Sequence, residues 1–285
     1  MPFVTVGREL NADIELYYED HGAGQPVVLI HGFPLNGASW ERQQRVLLDA
    51  GYRVISYDRR GFGQSSKPTE GYDYDTFASD LDALLSKLGV SDIVLVGFSM
   101  GTGEVTRYLG KYGSSRVSKA AMFGVIPPFL LKTDDNPDGV PGEVFEGIKT
   151  GIQNDRYVFF DGFFSDFYNV DKLGDGTPEQ PGAKLISPQK VRADFITATD
   201  MSSIATKAVV DAWLEDFRAD LAKFDVPTLV IHGTADRILP IDATARRLKS
   251  LIPDLTYLEI EGGPHNIGWT HFGEVNAALL EFLKK

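Results

Sequence analysis

Short, nearly continuous apolar runs recur along the first third of the chain: VVLI (27–30), RVISY (53–57) and IVLV (93–96). Runs of this length rich in Val and Ile are what strands buried on both faces of a parallel sheet need. FVTV (3–6) and IELYYE (14–19) flank Asn11-Ala12-Asp13 and predict an antiparallel pair, and KAAMFG (119–124), TLVIHG (228–233) and TYLEIEG (256–262) predict further strands. Between them the period changes. Phe77, Leu81, Leu84, Leu85 and Leu88 line one helical face that stops at Gly89, and Val275, Leu279, Phe282 and Leu283 line a closing helix. The alternation predicts an α/β fold: a mostly parallel, twisted sheet with helices on both faces.

From Pro127-Pro128 to about Asp225 the strand pattern lapses. Turn clusters come first, Asn136-Pro137-Asp138-Gly139 and Pro141-Gly142, then YVFFDGFFSDFY (157–168), whose aromatics fall at helical spacing. The expected organisation is a core domain of residues 1–127 and 226–285, with 128–225 inserted as a helical cap. Most of the aromatics from Phe159 to Tyr168 are expected in the cap's own core or a subunit interface.

Composition narrows the partners. A net charge of −12 argues against phosphate backbones and anionic membranes. With no cysteine, disulfides, thiolate metal sites and a cysteine nucleophile are excluded, and no histidine pair stands at metal-ligand spacing. MPFVTVGREL has no signal-peptide pattern and no apolar run is long enough to span a bilayer, so the expectation is a cytoplasmic protein without cofactor or metal.

The chemistry is placed by one pentapeptide, Gly97-Phe98-Ser99-Met100-Gly101, which follows the IVLV run and opens a helix to about Lys111. Ligands of α/β sheets bind beyond the carboxyl ends of the strands. A tight strand-to-helix turn needs small residues two before and two after the serine, and Gly97 and Gly101 supply them. A serine there is a helix cap, a turn residue or a nucleophile, and a nucleophile needs a base. Among His21, His31, His232, His265 and His271, the best placed is His265, in the Gly-Gly-Pro-His loop after the last strand. His21 belongs to a turn, His31 and His232 pack under the loops that they begin, and His271 opens the last helix at the surface. Asp236, in HGTAD, is the candidate that orients the base, with Asp242 as its rival. The chain order serine, aspartate, histidine separates this arrangement from the two protease families that use the same three groups in other orders. Backbone amides of Met100 and of Phe33, in the loop after VVLI, are candidates for an oxyanion hole.

With HGFPLNGASWE, SYDRRGFGQSSKP, VGFSMGTGEVTRY, VPTLVIHGTADRILPI and EGGPHNIGWTH in view, the chain resembles the α/β-hydrolase superfamily, and within it the cofactor-free haloperoxidases (perhydrolases) and related aryl esterases. The resemblance runs from about residue 25 to the end. It implies the triad Ser99, Asp236 and His265, the Phe33 and Met100 oxyanion hole, and structural roles for Arg59 and Arg60. It also implies a homo-oligomer, a trimer or a dimer of trimers. Two departures stand out: GTGEV replaces the common GGGEV, and Asn266-Ile267-Gly268 follows His265 in a variable stretch.

The activity expected is acyl transfer from small or aryl esters to water, and to hydrogen peroxide with release of a peracid. Pro34 is similar to the proline of perhydrolase members and is expected to aim the Phe33 carbonyl at peroxide. Phe98, Phe129 and Trp213 are further candidates to line the pocket with Phe33. A lactam amidase, a carbon–carbon bond hydrolase and a non-catalytic ligand-binding member remain alternatives. Dehalogenases and epoxide hydrolases of this fold carry aspartate where Ser99 stands.

Overall fold

The apolar runs become the centre of one sheet. The computed structural model describes residues 2–173 and 185–285. β1 (Phe3–Glu9) and β2 (Ala12–His21) pair antiparallel. β3 (Pro26–Ile30), β4 (Arg53–Tyr57), β5 (Ile93–Phe98), β6 (Val117–Phe123), β7 (Thr228–Gly233) and β8 (Leu255–Ile260) follow. The strand order is β1-β2-β4-β3-β5-β6-β7-β8, parallel from β4 through to β8, with β2 antiparallel to β4.

Alternation along the inner strands sorts side chains into two cores. Val27, Leu29, Val94 and Val96 face one layer, and Val28, Ile30, Ile93 and Leu95 face the other. Helices cover both: α1 (Glu41–Asp49), α2 (Tyr74–Leu88) and α3 (Met100–Tyr112) come from the first half. The predicted stop of α2 is physical: Gly89 takes the left-handed conformation, φ 62°, and its N–H caps Leu85 and Ser86 carbonyls.

Between β6 and β7 lie α4 (Gly142–Phe167), α5 (Val170–Leu173), α6 (Pro188–Asp200), α7 (Ser203–Ala212) and α8 (Arg218–Leu221), and among the described residues no strand of the sheet. Residues 174–184 of this segment lie outside the described residues. α4 breaks at Asp155, whose carboxylate accepts the N–H groups of Tyr157 and Val158 and so caps the second half. The chain ends with α9 (Ala245–Leu248), α10 (Ile267–Thr270) and α11 (Phe272–Lys284). Among the described residues no helix is long and apolar enough to cross a membrane.

Candidate active site

Ser99 sits where β5 turns into α3, in backbone geometry that side chains rarely adopt, φ 53° and ψ −120°. The flanking glycines show why the turn closes only with this sequence. A Cβ on Gly97 would stand 2.6 Å from the Gly101 carbonyl oxygen, and one on Gly101 would stand 2.2 Å from that of Ile30. The turn holds the hydroxyl clear of the sheet and places it at the first turn of α3, where the helix N–H groups lack intrahelical partners.

His265 is fully buried beside it. Its Nε2 lies 2.8 Å from Ser99 Oγ and its Nδ1 lies 2.7 Å from Asp236 Oδ2. The imidazole packs against Phe98 and Phe167, each with ring centroids 5.1 Å away. Asp236 is closely held. Its Oδ1 accepts the N–H groups of Ile238 (2.9 Å) and Leu239 (2.8 Å), and its Oδ2 also faces His232 Nε2 at 3.2 Å. Burial alone would raise the Asp236 pKa, but the charge of His265 and the hydrogen bonds from His232 and His265 outweigh it and hold the carboxyl far below the usual carboxylate range. No sequence signal announces the His232 contact, because it depends on the β7 loop curling back on its own strand. His232 Nδ1 accepts the Val125 N–H at 3.1 Å, so Nε2 carries the proton and donates toward Asp236 and the Leu239 carbonyl.

The loop after β3 closes the other side. A Cβ on Gly32 would stand 2.7 Å from Ser99 Cβ, so the backbone at Gly32 lies directly against Ser99. Met100, the first residue of α3, presents its amide at the same spot by its place in the helix. Beneath the loop, His31 Nε2 accepts the Arg59 N–H and its Nδ1–H donates to Gly32 O, both at 3.0 Å. Arg59 pairs with Glu104 at 2.7 Å and donates to the His31 carbonyl at 2.9 Å, while Tyr57 also bonds Glu104. Arg60 makes a bidentate pair with Asp80, at 2.6 and 2.7 Å. Both arginines are buried in ion pairs, and neither is among the residues that line the cavity over Ser99.

A cavity of about 440 Å³ opens over Ser99, with Phe33, Ile126, Trp213, Ile238 and Leu239 in its wall. Trp213 lines it. Phe98 does not: it turns its ring beneath His265 and against Trp40. Phe129 does not either, because the Arg218 guanidinium stacks on its ring and the neighbouring Leu130 takes the wall. Pro34 is buried and is not among the residues that line the cavity. Phe160, Phe164, Phe167 and Tyr168 are buried in the core, whereas Phe159 and Phe163 reach the cavity. Asp242 is exposed and pairs with Arg246 at 2.8 Å, far from the role of rival to Asp236. His21 is exposed beside Glu19, and His271 is half-buried at the start of α11. No group of three or more metal-ligating side chains occurs among the described residues.

Comparison with known proteins identifies the family. The pattern of the family described as alpha/beta hydrolase fold matches residues 25–272. The non-heme chloroperoxidase CPO-A1 of Kitasatospora aureofaciens is 41% identical, over 95% of this chain and 97% of that protein. The bifunctional esterase/perhydrolase DCH of Acinetobacter calcoaceticus is 31% identical, over 95% and 96%. The crystal structure of a bromoperoxidase from Bacillus anthracis superimposes with a TM-score of 0.92 at 45% identity, covering 100% of this chain and 99% of that one. The chain belongs to the alpha/beta hydrolase fold family, among its non-heme haloperoxidases.

Proposed function

We propose that the protein is a serine hydrolase that cleaves carboxylic esters through an acyl-enzyme and also passes the acyl group to hydrogen peroxide. The observation that carries this reading is the continuous hydrogen-bond chain from Ser99 through His265 to Asp236 at the floor of an apolar cavity. His265 takes the hydroxyl proton as Ser99 Oγ attacks the ester carbonyl, and Asp236 stabilises the imidazolium that forms. The Phe33 and Met100 amides receive the oxyanion. The alcohol leaves with the proton from His265. Water then attacks the acyl-enzyme to give the acid, or hydrogen peroxide attacks to give a peracid, with His265 again acting as base. The peracid oxidises bromide or chloride after release, and the route needs neither haem nor metal.

In this reading residues 128–225 form a cap over the core, with Trp213 and Phe33 in the pocket and Pro34 setting the Phe33 carbonyl. The shared names of relatives, chloroperoxidase and esterase/perhydrolase, support the two acceptors. A homo-oligomer, a trimer or a dimer of trimers, and a cytoplasmic location belong to the same proposal on family resemblance; sedimentation and cell fractionation test them. The central test is p-nitrophenyl ester turnover with and without peroxide, scoring acid and peracid separately. The expected result is multiple turnover to both products, lost in Ser99→Ala. Turnover retained in that variant would overturn the reading.

A further inference from the structure

The insertion reaches the two loops that deliver Asp236 and His265 through one short stretch at the end of α4. Phe167 packs its ring against His265, and its carbonyl accepts the N–H of Asn266 at 3.2 Å. Tyr168 accepts a hydrogen bond from Asn266 Nδ2 at 3.1 Å and donates its own proton to Asp194 of α6. The other oxygen of Asp194 is held by Lys190 at 2.7 Å. Asn169 donates from Nδ2 to the Ala235 carbonyl at 2.9 Å. Asp166 and Asp171 pair with Arg237 at 3.2 and 2.9 Å. So the residue after the base is tied by Tyr168, and the residues on either side of the acid are tied by Asn169 and by the two aspartates.

We propose that residues 166–171 act as a clamp from the insertion that sets the distance between Asp236 and His265, with Tyr168 and Asn169 as positioning residues. The burial pattern distinguishes the clamp from surface decoration: Tyr168, Asn169 and Asp194 are 0%, 1% and 4% exposed. Asn169 also holds φ at 48°, a left-handed conformation that directs its side chain back across the β7 loop. Two neighbouring features give the clamp a function beyond rigidity. The same helix supplies Phe159 and Phe163 to the cavity wall, so substrate touches the element that grips the base. Tyr168 and Asn169 themselves are not among the residues lining the cavity, so their contribution runs through the two loops and not through contact with substrate. Asn266, directly after the base, makes two of the bonds, one from its backbone and one from its side chain.

This inference rests on the catalytic roles proposed for Asp236 and His265, and the experiment separates the two. Ser99→Ala tests the roles. The clamp is tested by Tyr168→Phe, which removes only the hydroxyl, and by Asn169→Gly, which removes the side chain while keeping a residue at ease with positive φ. Misplacement of a catalytic group by even an ångström lowers rates steeply, so kcat should fall by about tenfold or more in each variant, with KM within about twofold. The acid limb of the kcat/KM profile should move to lower pH, because a base less well held against the carboxylate is protonated less readily. The rate at which a phosphonate labels Ser99 should fall with kcat. A purely structural role would lower the unfolding midpoint and leave the pH limb in place. Unchanged kcat and pH limb in whichever variant folds, or a rise in KM alone, would overturn the proposal.

Discussion

Replacing Asp236 by asparagine is the sharpest perturbation that the site offers, because its surroundings dictate which way the amide must face. Two backbone donors, Ile238 and Leu239, point at Oδ1, and an amide nitrogen there would meet two N–H groups. The asparagine carbonyl must therefore take that position. Its NH₂ then faces His265 Nδ1 and the protonated Nε2 of His232, which stand 2.7 and 3.2 Å from the present Oδ2. His265 can relieve the donor–donor contact only by moving its proton to Nε2, where Ser99 Oγ waits 2.8 Å away. A ring protonated there has no lone pair for the serine proton. A forced change of tautomer in a Ser-His-Asp triad lowers kcat by about 10⁴-fold, or about 5.5 kcal/mol of barrier. The assay is steady-state ester hydrolysis normalised to the folded protein, with Asp242→Asn as the matched control at an exposed aspartate that pairs only on the surface. The control should keep wild-type turnover. A loss of less than about tenfold in Asp236→Asn would show that the carboxylate does not set the tautomer, and the reasoning would fail.

Two further outcomes follow from the buried groups and the cavity. Burial and the nearby Arg59 charge hold the His31 pKa well below its usual value. The unfolded chain therefore binds a proton as pH falls below about 6.5 and the native chain does not, so stability drops on acidification. That slope is at most about 1.4 kcal/mol per pH unit; urea midpoints between pH 7.5 and 5 should fall more steeply in the wild type than in His31→Gln, and parallel slopes would refute the assignment. The cavity of about 440 Å³ has Asp166 and Arg237 as its charged lining residues among those described, the rest being mostly apolar. Lengthening the acyl chain of p-nitrophenyl esters, or the alcohol chain of acetates, should raise kcat/KM by roughly fourfold per methylene in at least one series until the cavity fills; a flat or falling response in both would exclude apolar binding there.

What the amino-acid order made legible is what local rules determine. Buried inner strands declare themselves because both faces demand Val, Ile and Leu, and VVLI, RVISY and IVLV each became a strand within a residue or two of the expected bounds. Ser99 was legible because its turn constrains neighbours two positions away, and those glycines are indeed pressed against backbone oxygens. His265 and Asp236 were legible for a related reason: each follows a strand of the parallel sheet, so the topology alone carries both to the same edge as Ser99.

The contacts that tune these groups could not be read, because they join segments whose separation in the chain carries no pattern. Asn169 and Ala235 are 66 residues apart, and Tyr168 and Asn266 are 98 apart. Neither pair has a periodicity, a motif or a charge run to announce it. The same cause keeps the sequence from sorting the aromatics of α4 individually, although most of them are buried as expected. Phe159, Phe163 and Phe167 lie on one face of α4 by spacing, yet the first two meet the cavity and the third meets the base. What divides them is how far along the helix each sits, and that follows from where α4 ends against the β7 and β8 loops. The turn that carries Ser99 is thus specified by five consecutive residues, whereas on the proposed clamp the alignment of His265 depends on where an inserted helix stops. Changes that shift the end of α4 should therefore alter turnover before they alter the sheet.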